Sequence, residues 1–177
     1  MAHIERKLAS KSVFEGKLVH VYHDTVELEN GKEAFREVIR HPGAVAVLAL
    51  DGEEILLVRQ YRYCIGQELL EIPAGKLEPG EEPLSAAERE LSEETGSTCG
   101  ELIPLGKDYG SAGCMDEGSY LYFGRITCKA CAHPDEDELL TVEHRTPAEL
   151  EAMMAAGEIS DGKTLAAYAL AKAKGLF

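Results

Sequence analysis

The order of hydrophobic and polar residues divides the chain into alternating segments and continuous hydrophobic runs. Residues 18–40 alternate on both sides of Asn30-Gly31, which predicts a β-hairpin because this dipeptide suits a tight two-residue turn. Residues 44–50 and 54–60 are almost continuously apolar and flank a short polar turn. These two runs predict a second hairpin of central strands that are covered on both faces.

Turn and cap residues place the remaining elements. Pro83 suits the first turn of a helix and Gly96 suits its exit, and Thr146-Pro147 is an N-cap followed by proline at the first helical position. The further predicted elements are strands at residues 69–72, 120–127 and 139–145 and helices at 83–95, 147–156 and 161–174. Strands interrupted by a few helices predict an α/β fold, a mixed sandwich that opens with a β-ribbon.

The predicted helix at residues 83–95 is crowded with carboxylates. On a helical wheel, the apolar stripe that must face the core consists of Leu84, Ala87, Leu91 and Thr95. Arg89 and Glu93 are four residues apart on the outer face and are predicted to pair. Glu90 and Glu94 lie along the margin of the apolar stripe, where the wheel gives them only each other. Such a like-charged pair destabilises an ordinary surface helix.

Two interpretations of this helix remain open on the wheel alone. Either a cation lies among the carboxylates, in which case hard oxygen ligands favour Mg²⁺ or Mn²⁺, or the helix is a solvated acidic surface. The preceding loop favours the cation. Ala74-Gly75 and Pro79-Gly80 are predicted tight turns that bring backbone carbonyls and Glu81 towards the helix start, and Gly75 permits a close approach that a side chain would obstruct.

Charge and length restrict the classes of function. The 177 residues predict one domain with an N-terminal elaboration. The net charge of −14 argues against binding to nucleic acid or to an anionic membrane surface. A small anionic ligand then needs local arginines or a bridging cation. The polar start and the lack of a long apolar run predict a soluble, intracellular protein.

The five cysteines are an odd and scattered set, at positions 64, 99, 114, 128 and 131. This pattern favours reduced thiols in the cytoplasm over a disulfide framework. Cys128 and Cys131, with His133 nearby, suggest zinc, but a structural zinc site usually takes four ligands and the chain has no second CxxC. The favoured interpretation is thiols in or after a strand.

The spacing of the acidic segment resembles the signature of the Nudix hydrolases. Gly75 is followed after five residues by Glu81 and, after seven more, by the run Arg89-Glu90-Leu91-Ser92-Glu93-Glu94-Thr95-Gly96. Every fixed glycine, glutamate and arginine of that signature is present, and Ser97 departs from its usual aliphatic residue. The resemblance implies a Nudix-type α/β/α sandwich with a mixed sheet, and metal-dependent hydrolysis of a nucleoside diphosphate linked to another group.

The resemblance also implies roles for single residues. Glu90 and Glu94 correspond to the principal metal ligands, and Ala74 corresponds to a backbone carbonyl ligand. Glu93 is implied as a further ligand or outer carboxylate, and Arg89 as the group that orients carboxylates. Glu81 is implied to tie the loop to the helix.

Segments outside the signature are similar to the ADP-ribose pyrophosphatase branch of the family. They include Val58 to Arg62, Glu71 to Lys76, and Arg36-Glu37 ahead of residues 41–45. The branch implies that Arg36 and Arg62 contact substrate, with Arg59 and Glu71 as further candidates. The alternative for each arginine is an ordinary surface salt bridge. The branch also implies that residues 1–43 form a ribbon that pairs across a homodimer, ahead of a Nudix hydrolase domain at 44–177.

Two loops bear on the base and on the substrate. In this branch the base that activates water lies on a loop after the signature, and the acidic loop at residues 133–138 gives Glu136 and Glu138 as candidates. A solvated surface loop is the alternative. Ala112 stands where the branch often has proline, in a loop near the nucleoside, which leaves the preference for ADP-ribose open.

The predicted function is Mg²⁺-dependent hydrolysis of ADP-ribose to AMP and ribose 5-phosphate by a cytoplasmic homodimer. The alternative within the enzyme class is a pyrophosphatase for other nucleoside diphosphate sugars or for dinucleotides. A non-catalytic ADP-ribose sensor is the rival from another class. A sensor has no need of the complete carboxylate set that this chain carries.

Overall fold

The computed structural model describes residues 3–134 and 138–177, and this part of the chain forms ten strands and three α-helices. The strands are β1 (Arg6–Glu15), β2 (His20–Glu27), β3 (Glu33–Arg40), β4 (Ala44–Asp51), β5 (Glu54–Arg62), β6 (Gln67–Glu71), β7 (Ala74–Lys76), β8 (Ser97–Asp108), β9 (Ser119–Lys129) and β10 (Leu140–Arg145). The helices are α1 (Pro83–Thr95), α2 (Pro147–Ala155) and α3 (Gly162–Ala173). Among the described residues, no helix has the length and apolar character needed to cross a membrane.

The chain separates into two compact units. The first, which we call the ribbon unit, contains residues 1–43 and 109–117, and the second, the sandwich unit, contains residues 44–108 and 118–177. The ribbon unit holds an antiparallel sheet in the order β1-β2-β3. Its predicted hairpin is confirmed, since β2 and β3 pair around the turn that contains Gly31, whose φ is +76°.

Strand β1 was missing from the predicted elements. All ten of its residues are exposed, so neither face carries the hydrophobic alternation by which a strand is recognised. It forms one edge of its sheet and pairs only with β2 among the described strands.

The sandwich unit confirms the predicted α/β/α arrangement. Its sheet runs β10-β5-β4-β9-β8, with β6 added beside β5 and β7 beside β4. The sheet is mixed, because β4 and β9 are parallel while the other pairs are antiparallel. Every residue of β4 from 44 to 50 is buried. Odd-numbered β4 residues pack against α1 and even-numbered ones pack on the side of α2 and α3.

Helix α1 has the predicted bounds but not the whole predicted stripe. Ala87 and Leu91 are buried, together with Ala86, whereas Leu84 is 45% exposed and Thr95 is only half-buried. The first turn of α1 therefore does not contribute Leu84 to the core. The apolar face is short because the two buried positions beside it are Glu90 and Glu94. Two carboxylates therefore lie on the side of α1 that faces the sheet.

The loop before α1 is more regular than predicted. The structure has a tight turn at Pro79-Gly80, as expected, but Ala74-Gly75 belongs to strand β7, which pairs with β4. Three residues are too few for a period to be recognised in the sequence. Strand β8 was also missed, because its irregular pairing with β9 interrupts the alternation.

Candidate active site

Strand β7 and helix α1 are in close contact at Gly75. A Cβ atom built on Gly75 would lie well under 3.0 Å from the carboxylate carbon and both oxygens of Glu90. The backbone at Gly75 does not have a positive φ, so the requirement for glycine here is one of space. The prediction that Gly75 allows a close approach is confirmed, and the group that approaches is Glu90.

Arg89 is the hub of the carboxylates on α1. Its guanidinium donates to Glu81 from Nε and Nη2, at 2.9 Å each, and to Glu93 from Nη1 at 2.9 Å. Nη1 also lies 2.9 Å from Oε1 of Glu90, and Nη2 donates to the carbonyl of Lys76. The predicted Arg89–Glu93 pair is confirmed. The prediction that Glu94 is the only charged neighbour of Glu90 is wrong. Arg89 also contacts Glu90, because an arginine can donate hydrogen bonds in several directions at once.

Glu81 connects this hub to the loop, as predicted. Besides the two bonds from Arg89, its carboxylate accepts the backbone N–H of Glu78 at 3.0 Å. These donors, the Arg89 guanidinium first, lower the pKa of Glu81 to about 2. A depressed folded-state pKa contributes stability that is complete above the ordinary pKa of 4.5 and is lost as the pH falls towards 2.

Replacing Glu81 with glutamine is therefore expected to lower the free energy of unfolding at pH 7 by about 1 kcal/mol. The difference between wild type and E81Q should shrink as the pH falls from 4.5 to 2, because wild-type Glu81 then loses its charge. Urea unfolding at several pH values measures it. E88Q, which changes an exposed glutamate on the same helix, is the control, and a pH-independent gap for E81Q would contradict the assignment.

Glu90 and Glu94 are buried carboxylates on the side of α1 that faces the sheet. Their exposed fractions are 8% and 1%. Burial raises the pKa of Glu94 to about 8, with a further contribution from the charge of Glu138, and burial also raises the pKa of Glu90. Glu94 accepts the backbone N–H of Ala74 at 3.1 Å. At these two buried positions, the charged form of each carboxylate therefore needs additional positive charge nearby.

Glu138 lies close enough to act on both of these acids. Its charge contributes to the raised pKa of Glu90 and to that of Glu94. Glu136, the other predicted candidate for the base, is outside the described residues. Of the two candidates, Glu138 is the one that the described structure brings to the carboxylates of α1.

The donor set fits a hard divalent cation. Glu81, Glu90 and Glu93 share one guanidinium, and Glu94 is buried beside them. Within residues 3–134 and 138–177, no three Asp, Glu, His or Cys side chains form a ready-made metal-binding group. Magnesium does not require one, because it is usually held by one or two carboxylates and completes its shell with water and substrate phosphates.

Arg62 and Glu71 form a second polar pair in the sandwich unit. Nε and Nη2 of Arg62 each donate to a different oxygen of Glu71 at 2.7 Å. Glu71 is 1% exposed, while the Arg62 side chain is 38% exposed. Glu94 and Arg62 also interact electrostatically. Arg62 is thus brought to the acidic site, whereas both oxygens of Glu71 are taken by Arg62.

The other two predicted arginines have different surroundings. Arg59 donates to Glu143 on the neighbouring strand at 2.5 Å, which is the salt-bridge alternative. Arg36 belongs to the ribbon unit and pairs with Glu5. It lines a cavity of about 410 Å³ within that unit, together with Ala112 and Asp116. The cavity brings Arg36 together with the loop that carries the departure at Ala112.

The two cysteines of the CxxC pair lie at the end of β9 and just after it, as expected for thiols in or after a strand.

Sequence reasoning missed a different group, Asp161, Lys163 and Thr164, at the start of α3. Lys163 lies 2.6 Å from Asp161 and 3.5 Å from Glu71. The signal was a lysine flanked by polar residues at a helix start, a pattern too common to stand out.

Comparisons with known proteins agree with this geometry. The NUDIX domain profile matches residues 40–168, and the profile of the nucleoside diphosphate sugar hydrolase N-terminal domain matches residues 5–39. A solved structure described as an ADP compounds hydrolase superposes with a TM-score of 0.83 over 97% of this chain and 95% of that chain, at 21% identity. At that identity the superposition bears on the fold alone.

Curated relatives cover nearly the whole chain. The ADP-ribose pyrophosphatase of Bacillus subtilis is 40% identical over 94% of this chain and 90% of its own length. The methanol dehydrogenase activator of Bacillus methanolicus is 40% identical over 92% of this chain and 90% of its own length. The GDP-mannose pyrophosphatase of Yersinia pestis is 29% identical over 92% and 86%.

A mixed sheet lies between helices, and buried carboxylates face it from the helix after a glycine-containing strand, an arrangement that suits a hydrolase using a divalent metal. The chain belongs to the Nudix family of hydrolases. Its matches on both sides of residue 40 extend the likeness from the hydrolase domain to the N-terminal segment.

Proposed function

We propose that the protein hydrolyses the diphosphate bond of ADP-ribose, giving AMP and ribose 5-phosphate, with Mg²⁺ as the preferred metal and Mn²⁺ as a substitute. The observation that carries the proposal is the burial of Glu90 and Glu94 beside Arg89 and within the field of Glu138. The 40% identity to an ADP-ribose pyrophosphatase over almost the full length supports the substrate.

Each side chain has a part in this proposal. Glu90 and Glu94, with the carbonyl of Ala74, would hold the metal, which when bound neutralises the diphosphate and makes water easier to deprotonate. Arg89 holds Glu90, and Glu93 shares that guanidinium as an outer carboxylate. Such neighbours orient ligands without touching the metal.

The proton of the attacking water needs an acceptor. We assign this role to Glu138, because its loop position allows it to approach bound substrate and its charge is felt by both α1 acids. Water oxygen forms the new bond to phosphorus as the bridging P–O bond breaks. The proton passes to Glu138, and the leaving phosphate departs with the bridging oxygen.

The Nη1 side of Arg62, which Glu71 does not engage, suits a substrate phosphate. Pairing with Glu71 uses Nε and one side of Nη2, so Nη1 remains directed elsewhere. Arg36 is assigned to the nucleoside part, since it lines a cavity with Ala112 and Asp116. Arg59 is the least favoured of the three arginines, because Glu143 already engages it.

Two relatives favour testing another substrate and a non-catalytic role. One is a GDP-mannose pyrophosphatase, and another, as similar as the ADP-ribose pyrophosphatase, activates methanol dehydrogenase. The second relative revives the idea of a protein that acts on a partner. The complete set of buried carboxylates favours turnover over sensing, because a sensor gains nothing from acids that are costly to bury.

A substrate panel discriminates these candidates. With Mg²⁺ present, ADP-ribose is expected to give a kcat/KM at least about 10-fold above those for GDP-mannose and NAD⁺, since a misfitting polar group costs about 1.4 kcal/mol or more. The rates are measured by release of nucleoside monophosphate. A higher kcat/KM for another compound would reassign the substrate, and calorimetric binding of ADP-ribose without turnover would support the sensor.

We further propose a cytoplasmic homodimer in which residues 1–43 provide the pairing surface. Support comes from the exposed strand β1, whose side chains include the apolar Leu8, Val13 and Phe14 with exposed fractions of 42%, 43% and 57%. An exposed edge strand that carries apolar side chains favours pairing with another chain. The location is supported by the five cysteines, all of which are free thiols.

A further inference from the structure

We propose that Lys163, at the start of α3, is a positioning residue that holds Glu71 and thereby fixes Arg62 beside Glu94. The inference deepens the proposed function and rests on it for the role of Arg62 toward a diphosphate. It adds three residues, Lys163 with Asp161 and Thr164, that the Nudix signature does not contain.

The first step is the geometry of Arg62. Two parallel N–H···O bonds of 2.7 Å fix the plane of its guanidinium relative to the carboxylate of Glu71. Because the Glu71 side chain is 1% exposed, its carboxylate cannot turn towards solvent or substrate. The orientation of Arg62 therefore depends on that carboxylate. Whatever holds Glu71 in place therefore also determines where the Nη1 side of Arg62 points, which Glu71 does not engage.

The second step is the position of Lys163. Its ammonium lies 3.5 Å from Oε2 of Glu71, which is the oxygen that also accepts Nη2 of Arg62, and 2.6 Å from Oδ1 of Asp161. Its side chain is 24% exposed. Burial acts to lower the pKa of Lys163, but Asp161 and Glu71 outweigh it and raise the pKa, so the residue stays charged.

The third step is the attachment of Lys163 to the sheet. Asp161 caps α3 by accepting the backbone N–H of Thr164 at 2.9 Å and its hydroxyl at 2.7 Å. The same Thr164 hydroxyl oxygen accepts the backbone N–H of Ile72, the residue after Glu71, at 2.9 Å. Asp161 and Thr164 are buried. The start of α3 is thus tied to the end of β6 by the hydrogen bond from Ile72 to Thr164 and by the Lys163–Glu71 ion pair.

Charge balance gives Lys163 its role. Glu71 and Asp161 are two buried anions, and among the described residues Arg62 and Lys163 are the cations that contact them. Without Lys163, Arg62 is the only one of these cations left, and Asp161 attracts it as well. Arg62 is then expected to shift towards Asp161 and away from Glu94. This shift moves its Nη1 side away from the phosphate.

The test is a double-mutant cycle in the full chain, measured with ADP-ribose and Mg²⁺. K163M is expected to lower kcat/KM about 10-fold, mainly through KM, because a misplaced arginine loses contact with substrate. K163R should recover most of the loss. In an R62K background, K163M should change kcat/KM less than about 2-fold. K172M, which changes an exposed lysine on the same helix that pairs with Glu151, is the control.

Additive effects of R62K and K163M would overturn the inference, since Lys163 would then act on substrate by itself. An unchanged kcat/KM with a lowered Tm would also overturn it, as a merely structural role. K163Q provides a second variant if K163M does not fold.

A readout without turnover keeps the inference testable if the proposed function fails. The Nε–H proton of Arg62, assigned by its loss in R62K, should give a sharp NMR signal protected from exchange in wild type. K163M should broaden that signal or speed its exchange, and K172M should not. An Arg62 signal that is the same in K163M would overturn the positioning role, whereas absent AMP in wild type would reject only the proposed function.

Discussion

Replacing Glu94 with glutamine is expected to reduce turnover of ADP-ribose by about 100-fold or more while leaving the fold intact. Removing residues that only support metal ligands already costs about 10- to 100-fold, and Glu94 is assigned as a ligand itself. The amide keeps the shape of the side chain and can still accept the N–H of Ala74. It lacks the charge that attracts a divalent cation.

Stability separates this account from simple damage to the protein. In EDTA, the Tm of E94Q should equal that of wild type within about 2 °C or exceed it, because burying a carboxylate costs more free energy than burying an amide. Adding Mg²⁺ should raise the Tm of wild type and of the control E88Q, but not that of E94Q. Near-normal activity of E94Q would contradict the ligand assignment.

Replacing Gly75 with alanine is expected to reduce kcat/KM by about 10- to 100-fold, by pushing the carboxylate of Glu90 away from its position. The added Cβ would overlap that carboxylate. The backbone at Gly75 is one that alanine can adopt, so backbone strain does not contribute. Activity and the Mg²⁺-dependent rise in Tm should fall together.

Two controls isolate this steric effect. G110A adds a methyl group where no heavy atom lies within 4 Å and φ is not positive, and it should leave both readouts unchanged. In an E90A background, where the overlap is gone, G75A should cause no further loss of Tm. Wild-type kcat/KM for G75A would show that Glu90 moves aside without consequence.

The sandwich was predictable because its pattern is local and strong. Residues 44–50 of β4 and 55–58 of β5 are continuous apolar runs, which are typical of doubly covered strands, and α1 has proline at its start and glycine after its end. Strand β1 was not predictable, since its exposure on both faces leaves no alternation. Strand β7 is too short to have a recognisable period, and its pairing with β4 depends on tertiary contacts.

The candidate site was likewise predictable only in part. Glu90 and Glu94 were identified by their place beside the apolar stripe, and the burial of both carboxylates confirms that placement. The wheel predicted only Glu93 as a partner of Arg89, and the family resemblance implied that Arg89 orients further carboxylates. The bonds from Arg89 to Glu81 and Glu90 are absent from the wheel, because a wheel shows no loop that folds back onto the helix. Lys163 was not predicted as a site residue for a similar reason. It is about 90 residues from Glu71 in the sequence, and only the packing of α3 brings the two together.

The central claim is that the crowded acids of α1 form part of a metal-dependent diphosphate hydrolase. The most direct test incubates the purified full chain with ADP-ribose, in Mg²⁺ and in EDTA, and quantifies AMP and ribose 5-phosphate. The account predicts equal amounts of the two products with Mg²⁺ and almost none with EDTA or with E94Q. Absence of AMP with Mg²⁺, or the same rate in EDTA, would contradict it.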